Sequence, residues 1–281
     1  MITTSTMHAS MMIIIAAIAR GFKAGESDVP NERDNPDESD TRDAAKMPKT
    51  HFDIPPGTTF ITKYSLEAWG VDKTKLTSVT IPDSVTVIER GAFAYCSSLA
   101  AVTIPDSVTV IREEAFHQCS SLAMMSIPDS VTVIERRAFG YCCSLVAVTI
   151  PSSVTVIEAG VFSGCESLAT VSIPDSVTVI EGCAFSNCRS LATVSIPNSV
   201  TVIEEKAFFR CSSLTAVTIP DSVTNLAIDA FMNCPILRSI DYGRVTDLTA
   251  PNRFPVLNRI SRTATVEHPL GDGDNCIVRR T

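Results

Sequence analysis

A repeat of 23 residues dominates this sequence and limits the folds open to it more than any other feature. Written from Leu76, the unit reads LxxVxIPxSVxxIxxxAFxxCxS, and seven copies run as far as Ile236 without insertion or deletion. A unit this short cannot bury its own apolar side chains, so each copy must pack against its neighbours. The sequence therefore predicts a solenoid in which equivalent residues form columns along the stack.

Each unit divides into three segments. The opening LxxVxI places Val79 and Ile81 on one face of a strand, with Ser78 and Thr80 on the other. Proline lacks an amide hydrogen, so the strand ends at Ile-Pro, and the following Asp-Ser favours a turn. A second short extended segment comes next, and the spacing of Ala-Phe to Cys predicts a single helical turn. The expected fold class is an α/β repeat solenoid with one parallel strand per repeat.

The repeated pattern IPDSVT…I…AF…C…SL resembles the BspA-like class of leucine-rich repeats over most of the chain. The resemblance implies a right-handed leucine-rich-repeat coil and a scaffold of the kind found in surface adhesins, with no fixed function. That class usually has glycine directly after the second Ile, where a left-handed turn would need it. We therefore expect the local turn to differ here. The corresponding column reads Glu89, Arg112, Glu135, Glu158, Glu181 and Glu204.

The sequence outside the seven copies departs from the repeat and sets the expected boundaries. Phe52 and Ile61 occupy the positions of Val79 and Ile88, but four extra residues precede Leu76, which indicates a degenerate N-terminal cap. Downstream, Phe254 continues the Phe column. The charged and polar ends predict disorder. The expected organisation is a disordered leader over 1–50, an N-terminal capping repeat over 51–75, seven repeats over 76–236, a C-terminal capping repeat over 237–260 and a polar tail over 261–281.

The leader contains an apolar run, residues 11–19, of about half the length that a membrane-spanning helix needs. We therefore expect no membrane span. Residues 17–19 resemble a signal-peptide cleavage site, yet no Lys or Arg precedes the run, so cleavage is left open. A cytoplasmic location is slightly favoured over a secreted or cell-surface one.

Charge and cysteine spacing narrow the function classes. A net charge of −8 with scattered basic residues disfavours nucleic-acid binding. Seven of the ten cysteines recur at one equivalent position, which is typical of small buried hydrophobes, and we expect free thiols there. Cys143, Cys183 and Cys276 lie off that column and are the thiols expected to be most exposed.

An enzyme is the least favoured class. The sequence has no phosphate-binding glycine loop, no CxxC pair and no HExxH helix, so no cofactor, metal or catalytic residue is predicted. The best nucleophile and base pair, Cys119 with His117, would place a thiolate at a buried position, where burial penalises it.

Two columns of small side chains line the sheet face that points away from the predicted core. They repeat at the strand spacing of about 4.8 Å. Such a neutral, regular surface suits an extended polypeptide or a polysaccharide better than a compact metabolite. The alternative is that Ser and Thr there reflect only β-propensity. The first column is Ser78, Ala101, Met124, Ala147, Thr170, Thr193, Ala216 and Ser239, and the second is Thr80, Thr103, Ser126, Thr149, Ser172, Ser195 and Thr218.

These columns predict a non-enzymatic scaffold that binds a protein or a polysaccharide. The alternative is a structural or self-associating surface or matrix protein without a discrete ligand. The candidate partner-binding residues are Thr80, Thr103, Met124, Ser126, Thr149, Thr170, Ser172, Thr193, Ser195 and Thr218.

Two further columns leave alternatives open. The carboxylates of Glu135, Glu158, Glu181 and Glu204 should splay apart, pair with a neighbour such as Arg136, or bind a cation, and splaying is the expectation. The Val87 column is an apolar surface stripe if it points outward and core if it points inward. Alternation from Val85 favours inward, whereas the resemblance to the BspA-like class, which relies on Ile88, implies outward.

Overall fold

The structure, a computed structural model, describes residues 50–242 and the pair Val278–Arg279. Within these residues the chain is a solenoid of parallel strands, which confirms the repeat fold predicted from the 23-residue period. The leader, the predicted C-terminal cap beyond residue 242, Cys276 and most of the polar tail lie outside the described residues.

Two ladders of parallel strands run along the solenoid. Partners in successive repeats are 23 residues apart, as in Thr80 with Thr103, whereas His51 pairs with Ser78 across 27 residues because of the four extra residues in the first coil. The first ladder contains β1 (His51–Asp53), β3 (Ser78–Thr80), β5 (Ala101–Thr103), β7 (Met124–Ser126), β9 (Ala147–Thr149), β11 (Thr170–Ser172), β13 (Thr193–Ser195), β15 (Ala216–Ile219) and β17 (Ser239–Tyr242), and β17 also pairs with β18 (Val278–Arg279). The second contains β2 (Phe60–Ile61), β4 (Val87–Ile88), β6 (Val110–Ile111), β8 (Val133–Ile134), β10 (Val156–Ile157), β12 (Val179–Ile180), β14 (Val202–Ile203) and β16 (Asn225–Leu226). Strand pairing is interrupted in the first ladder between β7 and β9 and between β11 and β13, and in the second between β8 and β10.

The core is a single cluster built from the repeated apolar columns. The Phe column stacks ring on ring from Phe93 to Phe231, with successive centroids 5.0 to 5.7 Å apart. Each Cys thiol beyond the first donates to the carbonyl of the Phe 26 residues earlier, at 3.2 to 3.3 Å, so the buried sulfur also has a polar partner. Stacking therefore joins coils rather than stabilising any coil alone.

The third segment of each repeat is a series of turns and not the predicted helical turn. Its amides alternate: Ala92, Ala94 and Cys96 donate to carbonyls three residues earlier, while Phe93 and Tyr95 donate to the next coil. Among the described residues the only helix is α1 (Ser65–Ala68), in the first coil. The α/β label therefore overstates the helical content.

The alternating amide bonds coincide with a left-handed backbone conformation at two positions in each repeat. The first position lies two residues after the column in which glycine was sought, and it includes Arg137 and Cys183 with φ of 54° and 57°. Non-glycine residues rarely adopt this region, so the neighbouring coils must hold them there. In this chain the left-handed residue therefore does not lie in the Glu89 column but two positions after it, and a difference from the family's turn stays a prediction.

The Val87 column points outward, which resolves the alternative left open by the sequence. Ile88 is fully buried, whereas Val87 is partly exposed and Val133 is 38% exposed. Because each strand of the second ladder is only two residues long, one residue faces the core and the other faces solvent.

Candidate binding face

The two predicted columns lie side by side on the exposed surface of the first ladder. Their intervening residues, such as Val102 and Val148, are buried, so strand alternation places both columns on the outer surface. Met124 is partly buried, and the second column from Thr80 to Thr218 is exposed throughout. We call this surface the sheet face. At about 4.8 Å per step, the second column spans roughly 29 Å.

The hydroxyl groups of the sheet face have no protein partners over most of its length. Ser78 and Thr80, at the N-terminal end of the columns, contact His51. Within residues 50–242, none of the hydroxyls in the later coils of the two columns makes a side-chain hydrogen bond. A hydroxyl both donates and accepts, so each remains available to a ligand. The unpartnered groups are Thr103, Ser126, Thr149, Thr170, Ser172, Thr193, Ser195 and Thr218.

Hydroxyls elsewhere in the repeat behave differently. Those of Ser107, Ser130, Ser176, Ser199 and Ser222 donate to the carbonyl of a Val 22 residues earlier, at 2.6 to 2.8 Å. Those of Thr109, Thr132, Thr178, Thr201 and Thr224 donate to a carbonyl of the preceding coil at 3.2 to 3.4 Å. The second column of the sheet face thus differs from these two sets, although other described hydroxyls, such as those of Thr155 and Ser167, also have no side-chain partner.

A polar cluster, which sequence reasoning missed, closes the N-terminal end of the sheet face. Ser78 Oγ lies 2.7 Å from His51 Nδ1, and His51 Nε2 lies 3.2 Å from Asp53 Oδ1. Hydrogen bonds from Thr80 and His51 lower the pKa of Asp53. The offset of 27 residues places His51 in the first column and Asp53 in the second, and this register could have revealed the cluster.

The cluster has the connectivity of a serine, histidine and aspartate triad but lacks other parts of an acyl-transfer site. The backbone amides of Thr77 and Ser78 both donate to the carbonyl of Thr50, so neither can stabilise an oxyanion. His51 and Asp53 side chains are 51% and 76% exposed, which leaves their interaction screened by water. The geometry fits a hydrogen-bonding end to the sheet face better than a catalytic centre.

A shallow depression of about 650 Å³ lies towards the C-terminal end of the sheet face. Ser195 and Thr218 of the second column line it, together with Asn198, Asp221 and Ser222 from the turns that follow the strands. Its lining thus combines hydroxyl, amide and carboxylate groups, which suits a polar ligand.

The glutamate column serves the backbone of the preceding coil instead of splaying into solvent. The carboxylate of Glu135 accepts from the amide of Glu113 at 2.9 Å, that of Glu181 from Ala159 at 3.0 Å, and that of Glu204 from Gly182 at 3.0 Å. Glu158 accepts from the amide of Arg136 in the same way. Burial and the neighbouring Glu181 and Glu135 carboxylates raise the pKa of Glu158.

His117 and Cys119 are not brought together as a nucleophile and base. The Cys119 thiol is fully buried, and its pKa is raised by burial. The His117 ring packs edge-to-face between Tyr95 and Tyr141, with centroids 5.9 and 5.5 Å away. Gly140 leaves room for this ring, because a Cβ there would lie 2.9 Å from His117 Nδ1.

The described cysteines are all free thiols. The repeated column is buried, and burial raises the pKa of Cys96 to about 12. Cys143 and Cys183 are partly exposed. The pKa of Cys143 is raised by burial and by Glu166, which disfavours its thiolate.

The repeat matches a known protein family. A family model for the BspA type leucine rich repeat region, six copies long, matches residues 67–191 and 132–252. The chain belongs to the BspA-type leucine-rich repeat family. Proteins of this family are typically non-enzymatic. A search of curated proteins gives no match.

Solved structures with similar folds come from bacterial leucine-rich repeat proteins. A leucine rich cell surface protein of Faecalibacterium prausnitzii is 33% identical, with 69% of each chain covered and a TM-score of 0.46. A leucine-rich repeat protein of Bacteroides ovatus is 25% identical over 69% of this BspA-type chain and 63% of its own, with a TM-score of 0.45. The T. pallidum leucine rich repeat protein is 30% identical over 59% of this chain and 72% of its own, with a TM-score of 0.42.

The described part of this BspA-type chain shows neither a membrane-spanning helix nor a metal-binding cluster. No helix there has the length and apolar character needed to cross a bilayer. Within the same residues, no group of three or more His, Cys, Asp or Glu side chains is arranged to hold a metal ion.

Proposed function

We propose that the chain is a binding scaffold that engages a protein or polysaccharide partner through the sheet face. The single observation that carries the proposal is the row of unpartnered hydroxyls on that face, beside other hydroxyl columns that bond within the protein. Since a regular row of free donors and acceptors gains hydrogen bonds only from outside the chain, ligand binding is the function that it fits best.

The test places bulky charge in the middle of the sheet face. Thr149→Arg with Ser172→Arg should abolish partner capture in a pull-down from lysate and surface fractions, because both side chains are exposed and central. Thr155→Arg with Thr178→Arg is the matched control, since these exposed threonines flank the second ladder. Equal capture by the two variants would rule out the sheet face, provided that both retain the wild-type melting temperature.

A structural, self-associating role is the second candidate, and the outward Val87 column favours it. Phe60, at the start of the same column, is 58% exposed, and Val133 near its centre is 38% exposed. Exposed apolar stripes commonly mark contacts between proteins. Light scattering at increasing protein concentration tests this role: a mass that stays monomeric at high concentration would eliminate it.

The location of the protein bears on which partners it meets. The charge pattern before the apolar run slightly favours the cytoplasm, whereas the F. prausnitzii relative is described as a cell surface protein. Surface biotinylation of intact source cells decides between them. Labelling of the chain without cell lysis would overturn the cytoplasmic expectation.

A further inference from the structure

A second depression, of about 420 Å³, lies on the turns of the C-terminal repeats. It is lined by Arg189, Arg210, Ser212, Asn233 and Pro235, none of which belongs to either strand ladder. Both arginines are exposed, whereas the serine and the asparagine are partly buried. None of the described residues that line it is acidic, although the whole chain has a net charge of −8. The depression is therefore a local concentration of positive charge in an acidic protein.

Two cations in neighbouring coils distinguish this depression from the equivalent positions of other coils. Arg189 directly follows one repeated Cys, and Arg210 directly precedes the next. In the other described pairs of this kind, which begin at Ser97 with Gln118, neither position holds Lys or Arg. Like charges on one surface repel each other, so the fold gains stability from an anion that lies between them.

Arg210 has a guanidinium group that is held in place but has no acidic partner. Its Cζ lies 5.0 Å from the centroid of the Phe209 ring, so an aromatic face supports the cation. Its backbone amide donates to the carbonyl of Met232 at 3.0 Å, which fixes the main chain at this point. Within residues 50–242, Arg210 forms no ion pair. Since a guanidinium carries five N–H donors, Arg210 can bind an anion without giving up a carboxylate.

Arg189 is engaged only in part. Its Nη2 lies 3.5 Å from Glu166 Oε1, and both side chains are about half exposed. Exposed ion pairs of this kind contribute little to stability, so an external anion can compete with the carboxylate. The side-chain amide of Asn233 adds two further N–H donors to the lining. Three successive coils thus place donors around one depression.

This donor set fits a tetrahedral oxyanion better than a carboxylate. One guanidinium group can satisfy both oxygens of a carboxylate, whereas a phosphate or sulfate group has enough acceptor oxygens for two guanidinium groups and an amide. The depression is also far larger than a water molecule, whose share of liquid volume is about 30 Å³, so it has room for more than the anionic group. Met232 and Ile236, which flank its lining in sequence, are 47% and 44% exposed and offer apolar contact to the body of a ligand.

We propose that the depression between Arg189 and Arg210 binds the tetrahedral oxyanion of a phosphate or sulfate ester. The site goes beyond the proposed function, because no residue of the sheet face lines it. The net negative charge of the chain opposes anions at long range, so binding depends on direct hydrogen bonds from both arginines.

The experiment is an NMR titration of the arginine Nε–Hε resonances of the full chain at constant ionic strength, with sodium phosphate, sodium sulfate and sodium acetate as probes. Phosphate or sulfate should shift the Arg189 and Arg210 resonances saturably, and acetate should bind more weakly. Arg210→Gln and Arg189→Gln should each weaken binding roughly ten-fold, because each removes charged hydrogen bonds. Glu166→Gln should strengthen binding, because it releases Arg189.

Arg136→Gln is the matched control. Its side chain is 56% exposed like that of Arg189, and its loss changes the net charge equally, but it lies beside Glu113 and outside the depression. It should leave binding unchanged. Every variant should keep the wild-type melting temperature, which separates loss of the site from loss of the fold.

Glucose 6-phosphate and glucose 6-sulfate distinguish the source of the oxyanion. Binding of either ester supports the proposal, and the tighter one identifies the group. Binding of the inorganic ions alone would mean an adventitious ion only and would overturn the proposal. So would the absence of any saturable shift, equal affinity for acetate, or equal loss of binding in Arg136→Gln and Arg210→Gln. The proposed function is judged separately, by capture with the arginine variants at Thr149 and Ser172.

Discussion

The glutamate column has different surroundings in the first three repeats and the next three. In the first three, Arg112 bridges Glu89 and Glu135 at 3.1 and 3.0 Å, and Glu113 lies 3.3 Å from both Arg90 and Arg136. In the next three, Glu158, Glu181 and Glu204 have no ion pair with any residue that the structure describes. Both halves nevertheless direct a carboxylate to an amide of the preceding coil.

A glutamate in this column affects the stability of the fold in two ways. The hydrogen bond to the amide satisfies a backbone donor, and it is made by Glu135 in the first half and by all three glutamates of the second. The Coulombic contribution changes sign, since opposite charges alternate in the first half and like charges adjoin in the second. The backbone bond thus accounts for four glutamates of this column, Glu135, Glu158, Glu181 and Glu204, and the neighbouring charges set the Coulombic effect of each.

The largest predicted effect tests whether the halves differ only at the surface. Phe116→Ala and Phe185→Ala should each lower the free energy of unfolding by about 3 to 5 kcal/mol, because both rings are fully buried between stacked neighbours. Chemical denaturation measures both. Thr132→Ala, on the exposed surface, should cost far less. A marked difference between the two Phe variants would show that the halves also differ in their cores.

The next effect tests the ion pairs of the first half. Glu135→Gln should lower the free energy of unfolding by about 0.5 kcal/mol, because Arg112 loses one of its two charged partners while the amide keeps an acceptor. Denaturation at low and high salt checks the cause, since screening should shrink the loss. A loss that is independent of salt would assign it to packing.

The third prediction concerns His117, whose surroundings belong to the first half. Burial, with a smaller effect of Arg137, lowers its pKa from the ordinary value of 6.5, while Glu114 opposes the shift. The fold therefore favours the neutral ring, and this stability is lost as pH falls from 6.5 through the lower folded pKa. NMR titration should place the His117 midpoint below 6.5, with His117→Gln identifying the resonance. A midpoint above 6.5 would contradict the effect of burial.

The smallest effect concerns the second half and has the opposite sign from Glu135. Glu158→Gln should raise the free energy of unfolding at pH 7 by about 0.3 kcal/mol, because it removes a carboxylate between two others at a partly exposed site. Since the folded pKa is raised, the protonated form is favoured below the ordinary value of 4.5, and that stability is lost as pH rises through the folded pKa. The gain should therefore vanish at low pH. A gain that persists there would have another cause.

The sequence predicts those features that depend on repetition. Register, strand positions and the buried Leu, Phe and Cys columns follow from the period and from alternation, since a column buried in one coil is buried in all of them. The sheet face follows equally, because Thr80 and Ser78 alternate with Val79. Its role as a binding site stays a prediction.

Features that depend on backbone conformation could not be predicted in this way. A spacing of three residues from Phe93 to Cys96 is common to a helical turn and to the observed alternating turns, so it cannot distinguish them. Arg137 and Cys183 adopt a positive φ that non-glycine residues rarely take, because the neighbouring coils hold the backbone there. Whether a hydroxyl bonds within the chain also depends on the nearest carbonyl, as Thr149 and Thr178 illustrate.

The lateral hydrogen bonds of the solenoid join residues at fixed sequence separations, so the chain can change in length by whole coils. The thiol and serine ladders join residues 26 and 22 positions apart, wherever along the solenoid they occur. Removing or duplicating any 23 consecutive residues of the uniform repeats would leave every donor facing an equivalent acceptor. Recombination between copies can therefore lengthen or shorten the protein by whole coils, and so rescale its exposed face, without passing through a misfolded ancestor.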